Sequence, residues 1–144
     1  MIRYYLALVA TLLVCQTATA KVASVNVVVV VNADSDDSQK IADAYIAARG
    51  VPKENLIELS GVPEGLKISL EEFRSKILMP VLRELDRRKL TPKTKVIAYS
   101  AGFPTSVNVS RHHDQIEDKD IKKYQRSTAS LTGLTYLYHF LLAD

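Results

Sequence analysis

The chain has 144 residues, a formal net charge of +3 at pH 7 and one cysteine, Cys15. This length is enough to bury one hydrophobic core. The near balance of 19 basic and 16 acidic residues gives little support to nucleic-acid binding, which calls for a clustered basic face.

Residues 1–20 read as a secretory signal peptide. Met1-Ile2-Arg3 supplies the positive start, Tyr4 to Cys15 is almost wholly apolar, and Ala18-Thr19-Ala20 is an A-x-A site with cleavage expected before Lys21. An uncleaved anchor is the alternative. Lipidation at Cys15 is disfavoured because the bulky Val14 precedes it. Localisation is therefore expected to be secreted or periplasmic, with no stable membrane span once the signal is removed. Residues 21–144 are then a single domain without cysteine, so it has no thiol nucleophile, no cysteine metal ligand and no disulfide, and it must rely on its core.

Asn26 to Asn32 contains five consecutive valines, Val27 to Val31. Alternation is absent, so the run reads as a strand buried on both faces. It is too short for a transmembrane helix. Asp34 or Ser35 then caps a helix, with Asp36 and Asp37 in its first turn. Ile41, Ala42, Ala44, Tyr45 and Ala48 are expected on its apolar face, and Arg49-Gly50-Val51-Pro52 ends it. Asn55 to Ser60 is a short second strand, and Gly61 to Ile68 reads as a loop. Ser69-Leu70-Glu71-Glu72 is a capping box. The helix it starts carries Leu70, Phe73, Ile77, Leu78, Val81, Leu82 and Leu85, with a kink expected at Pro80. Arg87, Arg88 and Lys89 suit its C-terminal dipole.

Lys95 to Ser100 is a third strand, broken by Ala101-Gly102-Phe103-Pro104. A long polar stretch covers residues 105–129, with a brief extended segment at Thr105 to Ser110. Connections of this length are uncommon in compact domains and are usually functional or disordered. Ser130 or Thr132 caps a last helix bearing Leu134, Leu137, Tyr138, Leu141 and Leu142.

This order predicts an α/β fold, a small three-layer domain around a parallel sheet with strand order 2-1-3. A fourth strand is expected after the last helix, so the chain reads as the N-terminal part, or a shortened relative, of a larger doubly wound domain. The direction of strand addition reverses between strands 1 and 3, and ligands of open α/β sheets bind outside such a point. The expected binding rim is Asn32 to Asp37 together with Gly102 to Thr105, Gly102 and Pro104 being its candidate residues there, with the loop around His112 and His113 as a lid.

Within that rim, Asp34, Asp36 and Asp37 can offer oxygen to a hard divalent cation, but helix capping accounts for them as well. His112, His113 and Asp114 add imidazole and carboxylate, although adjacent histidines in an extended segment face opposite sides. Ser100-Ala101-Gly102 lacks the glycine pattern of a nucleophile elbow, and no glycine-rich phosphate loop follows strand 1. Asn108-Val109-Ser110 is a glycosylation sequon, meaningful only in a eukaryotic secretory pathway.

The signal peptide, the Val-Val-Val-Asn-Ala-Asp-Ser-Asp-Asp-Ser run ending at Ser38, Tyr45, Arg49-Gly50-Val51-Pro52-Lys53-Glu54-Asn55, Ile68-Ser69 with Phe73 and Pro80, and Gly102-Phe103-Pro104 occur in this order. Together they resemble a family of uncharacterised secreted bacterial proteins over roughly Val25 to Thr105. That resemblance implies export and fold but no reaction. More distantly, the layout is similar to caspase- and gingipain-like peptidases. Ala101-Gly102 stands where those place His-Gly, and the mature chain lacks their cysteine, so a cysteine-peptidase reading fails. The leading reading is a binding or interaction module of unknown partner, with no cofactor predicted. The alternative is a hydrolase-like enzyme, metal-assisted through Asp34, Asp36 or Asp37 and a loop histidine.

Overall fold

The computed structural model describes residues 22–110 and 126–143. The signal-peptide segment, His112, His113 and most of the long polar stretch lie outside the described residues. The elements in chain order are β1 (Val27–Asn32), α1 (Asp36–Arg49), β2 (Leu56–Leu59), β3 (Lys67–Ser69), α2 (Leu70–Glu72), a π-helical segment (Phe73–Leu78), α3 (Met79–Arg87), β4 (Val96–Tyr99), β5 (Ser106–Asn108), β6 (Thr128–Ser130), α4 (Leu131–Tyr136) and α5 (Tyr138–Leu141).

The valine run is the centre of a parallel sheet ordered β2-β1-β4. Val29 is in register with both Leu56 and Ala98. Because side chains alternate along a strand, β1 feeds two cores. Val28 and Val30 join Ile57, Phe73, Ile77, Leu78 and Val81 on one side. Val27, Val29 and Val31 join Ala42 and Val51 on the other, with Tyr45 and Ile46 packed against them. All five valines are at most 4% exposed.

α1 starts and stops where the residue types require. Ser35 Oγ accepts from the Ser38 N–H, Asp36 and Asp37 occupy the first turn, and Gly50 closes the helix at φ 62°, ψ 37°. Its buried face differs from the expected one. Ile41 is 52% exposed, and Ala44 and Ala48 are exposed too. The contact stripe runs through Ser38, Ala42, Tyr45 and Ile46 at i, i+4, i+7 and i+8 instead.

The Ser69 capping box forms as expected, with reciprocal bonds to Glu72. The helix it starts does not simply kink at Pro80. It widens into a π-helix over Phe73–Leu78, in which the Met79 N–H reaches the Arg74 carbonyl. Proline has no N–H to offer the carbonyl four residues back, and its ring would collide with that carbonyl. The wider turn relieves the collision and leaves Ile77 and Leu78, neighbours in sequence, both fully buried.

A second sheet, β3-β5-β6, was not expected. Lys67–Ser69 spans the end of the predicted loop and the capping serine after it, and β5 pairs with it in parallel. β6 closes the sheet antiparallel to β5. The polar stretch is therefore not structureless at its two ends. Only Ile68 and Val107 of this sheet reach the core, so a hydrophobic pattern two residues long left no readable period. The predicted last helix is also interrupted at Leu137, giving α4 and α5.

Asn55 joins the first strand to the turn before the second. It is fully buried, and its Nδ2 donates to the carbonyls of Val25 (3.1 Å) and Val27 (2.8 Å). Replacing it removes both donors and strands two carbonyls. Asn55→Ala is expected to lower stability by about 2 kcal/mol, measured as a reduced urea midpoint with an unchanged slope.

Candidate functional site

The carboxyl ends of β1, β2 and β4 meet at one end of the main sheet. Asn32, the last residue of β1, is half-buried and bonded in three directions. Its backbone N–H donates to Ser38 Oγ (3.0 Å), its Oδ1 accepts from the Asp34 N–H (3.0 Å), and its Nδ2 donates to the Gly102 carbonyl (3.1 Å). Asp34 Oδ2 accepts from the Gly61 N–H at 2.6 Å, tying the loop after β2 to the loop after β1. Ser100 Oγ donates to the Ser38 carbonyl at 2.6 Å, tying in the end of β4. These bonds form a polar clasp across three loops.

Gly102 is part of the clasp for steric reasons. Its φ is +76°, and a Cβ there would lie 3.3 Å from Ser35 Oγ and 3.4 Å from Asn32 Nδ2. Both the left-handed backbone and the close approach favour glycine.

The structure thus brings together Asn32, Asp34 and Gly102 from the sequence-predicted set. Asp36 and Asp37 are exposed in the first turn of α1, where they complement its dipole, and Asp37 lies 3.8 Å from Lys40. Pro104 is buried rather than displayed on the rim. Among the described residues, no group of three or more His, Cys, Asp or Glu side chains is arranged to hold a metal ion. Asp34 serves as an acceptor for a backbone N–H, and Ser35, not Asp34, is the N-cap of α1.

Beside the clasp, between the end of β4 and α4, lies a cleft of about 260 Å³. Tyr99, Ser100, Phe103, Thr105, Leu131 and Thr132 line it together with Pro104. The Tyr99 and Phe103 rings meet edge to face with centroids 5.1 Å apart. The Tyr99 hydroxyl pairs with Thr135 Oγ1 at 3.1 Å. Burial pushes the Tyr99 phenol above its ordinary value, and the hydrogen bond to Thr135 opposes that only in part. At physiological pH it is a neutral hydrogen-bonding group and not a base.

A second, larger groove of about 540 Å³ continues from this cleft along the outer edge of β4, sharing Tyr99 and Thr132 with it. Its walls are β4 and the α4–α5 segment, including Thr135, Tyr136 and Tyr138. The expectation of a site at the end of the sheet did not include Tyr99, Thr132 or Thr135. Tyr99 within a short apolar strand was the one available signal, because a tyrosine is suited to a partly wet boundary.

Comparison with protein-family models, with curated proteins and with solved structures finds no match.

The clasp makes Asp34 and Asp36 inequivalent despite their similar positions in sequence. Asp34→Ala is expected to lower stability by about 1 kcal/mol, since it removes the charged acceptor that ties the Gly61 loop to the end of β1. Asp36→Ala should stay within about 0.5 kcal/mol, as an exposed first-turn charge. Chemical denaturation of the two variants reads this directly, and equal losses would contradict the assignment.

Proposed function

We propose that the protein is an exported α/β binding module that recognises its partner through the cleft and groove beside β4. The carrying observation is how the rim residues are used. The side chains of Asn32 and Asp34 are engaged with backbone groups of the rim loops, and that of Ser100 with a carbonyl in the first turn of α1. Groups committed in this way hold loops in place and are poorly suited to moving protons or ligating ions. The adjoining cleft is lined mainly by aromatic, aliphatic and hydroxyl side chains, the usual composition of a recognition surface.

Export rests on the three-part pattern of Met1 to Ala20. Kinship with uncharacterised secreted bacterial proteins rests on the Arg49-Gly50-Val51-Pro52-Lys53-Glu54-Asn55 stretch and its companions. The main sheet fits a three-layer, 2-1-3 doubly wound plan when the short second sheet is set aside. No cofactor is assigned to the site.

The test is an NMR titration of the protein with two small probes. N-methylacetamide, a backbone mimic, is expected to shift Phe103, Thr105 and Thr132. Manganese(II) is expected to leave the amides of Asp34, Asp36 and Asp37 unbroadened. Selective broadening of those three by manganese, with a raised unfolding temperature, would overturn the binding-module reading in favour of a metal-assisted site.

A further inference from the structure

We propose that the outer edge of β4 accepts an extended polypeptide strand of a partner protein, apolar in its middle and carrying a carboxylate at the end beside Lys95. This rests on the binding-module reading and names its partner class.

The two edges of the main sheet are built differently. At the β2 edge, Arg88 Nη1 donates to the Leu56 carbonyl (2.6 Å) and more weakly to that of Glu54 (3.3 Å). The guanidinium is itself held by Glu84 at 2.8 Å. The Glu84 carboxyl is pulled down to about 2, by Arg87 first and with Arg88 contributing. Glu58, within β2, is exposed. A charged side chain on an edge strand and a cation on its carbonyls are the ordinary means of blocking strand addition.

The β4 edge has neither. Its residues are Val96, Ile97, Ala98 and Tyr99, with no charge among them. Among the described residues, β4 pairs only with β1. Beyond it lies the 540 Å³ groove, where Val96 is 36% exposed and Tyr136 84% exposed. Unpaired backbone N–H and C=O groups beside an apolar wall select one kind of occupant, an extended backbone with alternate side chains entering the groove. Charge then narrows it further. Among the described residues, the ionisable residues lining the groove, apart from its tyrosines, are Lys95 and His139, with no carboxylate in the lining. A carboxylate on the incoming strand complements Lys95.

The experiment uses the protein with a synthetic peptide of about seven residues, alternating valine and threonine between two terminal glutamates. Amide hydrogen exchange of β4 is followed by NMR. The free peptide is expected to slow exchange of those amides in Val96–Tyr99 that point away from β1 by about tenfold or more at saturation. A peptide N-methylated at every residue should give no slowing, because neither of its edges can donate to β4. Arginine in place of both glutamates should weaken binding about fivefold. No slowing with the free peptide overturns the proposal, and so does equal slowing with the N-methylated one. Shifts at Thr132 and Tyr136 with both peptides, without slowing, would sink strand addition and leave the binding module standing. Slow β4 exchange without peptide would also overturn it, in favour of a second copy where the chain sediments as a dimer and of the chain's own residues where it sediments as a monomer. The modified ligand leaves the protein unaltered, so misfolding of a variant cannot imitate any of these results.

Discussion

Burial of the Val27–Val31 run on both faces is the constraint on which the rest of the structure depends. Each fully buried valine contributes about 1.5–2 kcal/mol, so the run contributes on the order of 8–10 kcal/mol, comparable to the net stability of a small domain. No single layer can collect that energy. Even-numbered valines need the π-helical segment and α3, and odd-numbered ones need α1. The order of elements follows from this, because each crossover from the central strand must bring a helix to one of the two faces.

A strand buried on both sides cannot vary its register, so its ends become fixed points for other elements. Asn55 exploits one end by bonding the Val25 and Val27 carbonyls. Asn32 exploits the other, where the clasp through Asp34, Ser38, Ser100 and Gly102 locks the loops. These bonds steady the base of the cleft at Tyr99 and Phe103. The asymmetry between the guarded β2 edge and the uncharged β4 edge is set against this fixed frame.

Much of the frame was legible in the sequence because its signals are local and strong. An unbroken valine run, a serine N-cap with two aspartates, a left-handed Gly50 and the Ser69 capping box each state their geometry directly. Of the second sheet only β5 was legible, as the extended segment at Thr105 to Ser110, since β3, β5 and β6 are three residues each and bury little. The π-helix was read only as a kink, because Pro80 announces a disturbance and not how it is absorbed. The acidic rim was legible only in part, since Asp36 and Asp37 occupy the first turn of α1 as read. Asp34 resembles its neighbours Asp36 and Asp37 in sequence, and only the approach of Gly61 from another loop gives it a structural task. Tyr99 and Thr135, thirty-six positions apart, meet through packing that no spacing rule encodes.

Native-state hydrogen exchange of the β1 amides tests the central claim most directly. If Val28 to Val31 are the shared support of both cores, their exchange should require global unfolding. Their opening free energies should then equal the stability obtained from urea denaturation, while α4 and α5 open at lower cost. Exchange of the β1 amides through smaller openings than those of α1 would show that the two cores separate without losing the strand, and would contradict the account.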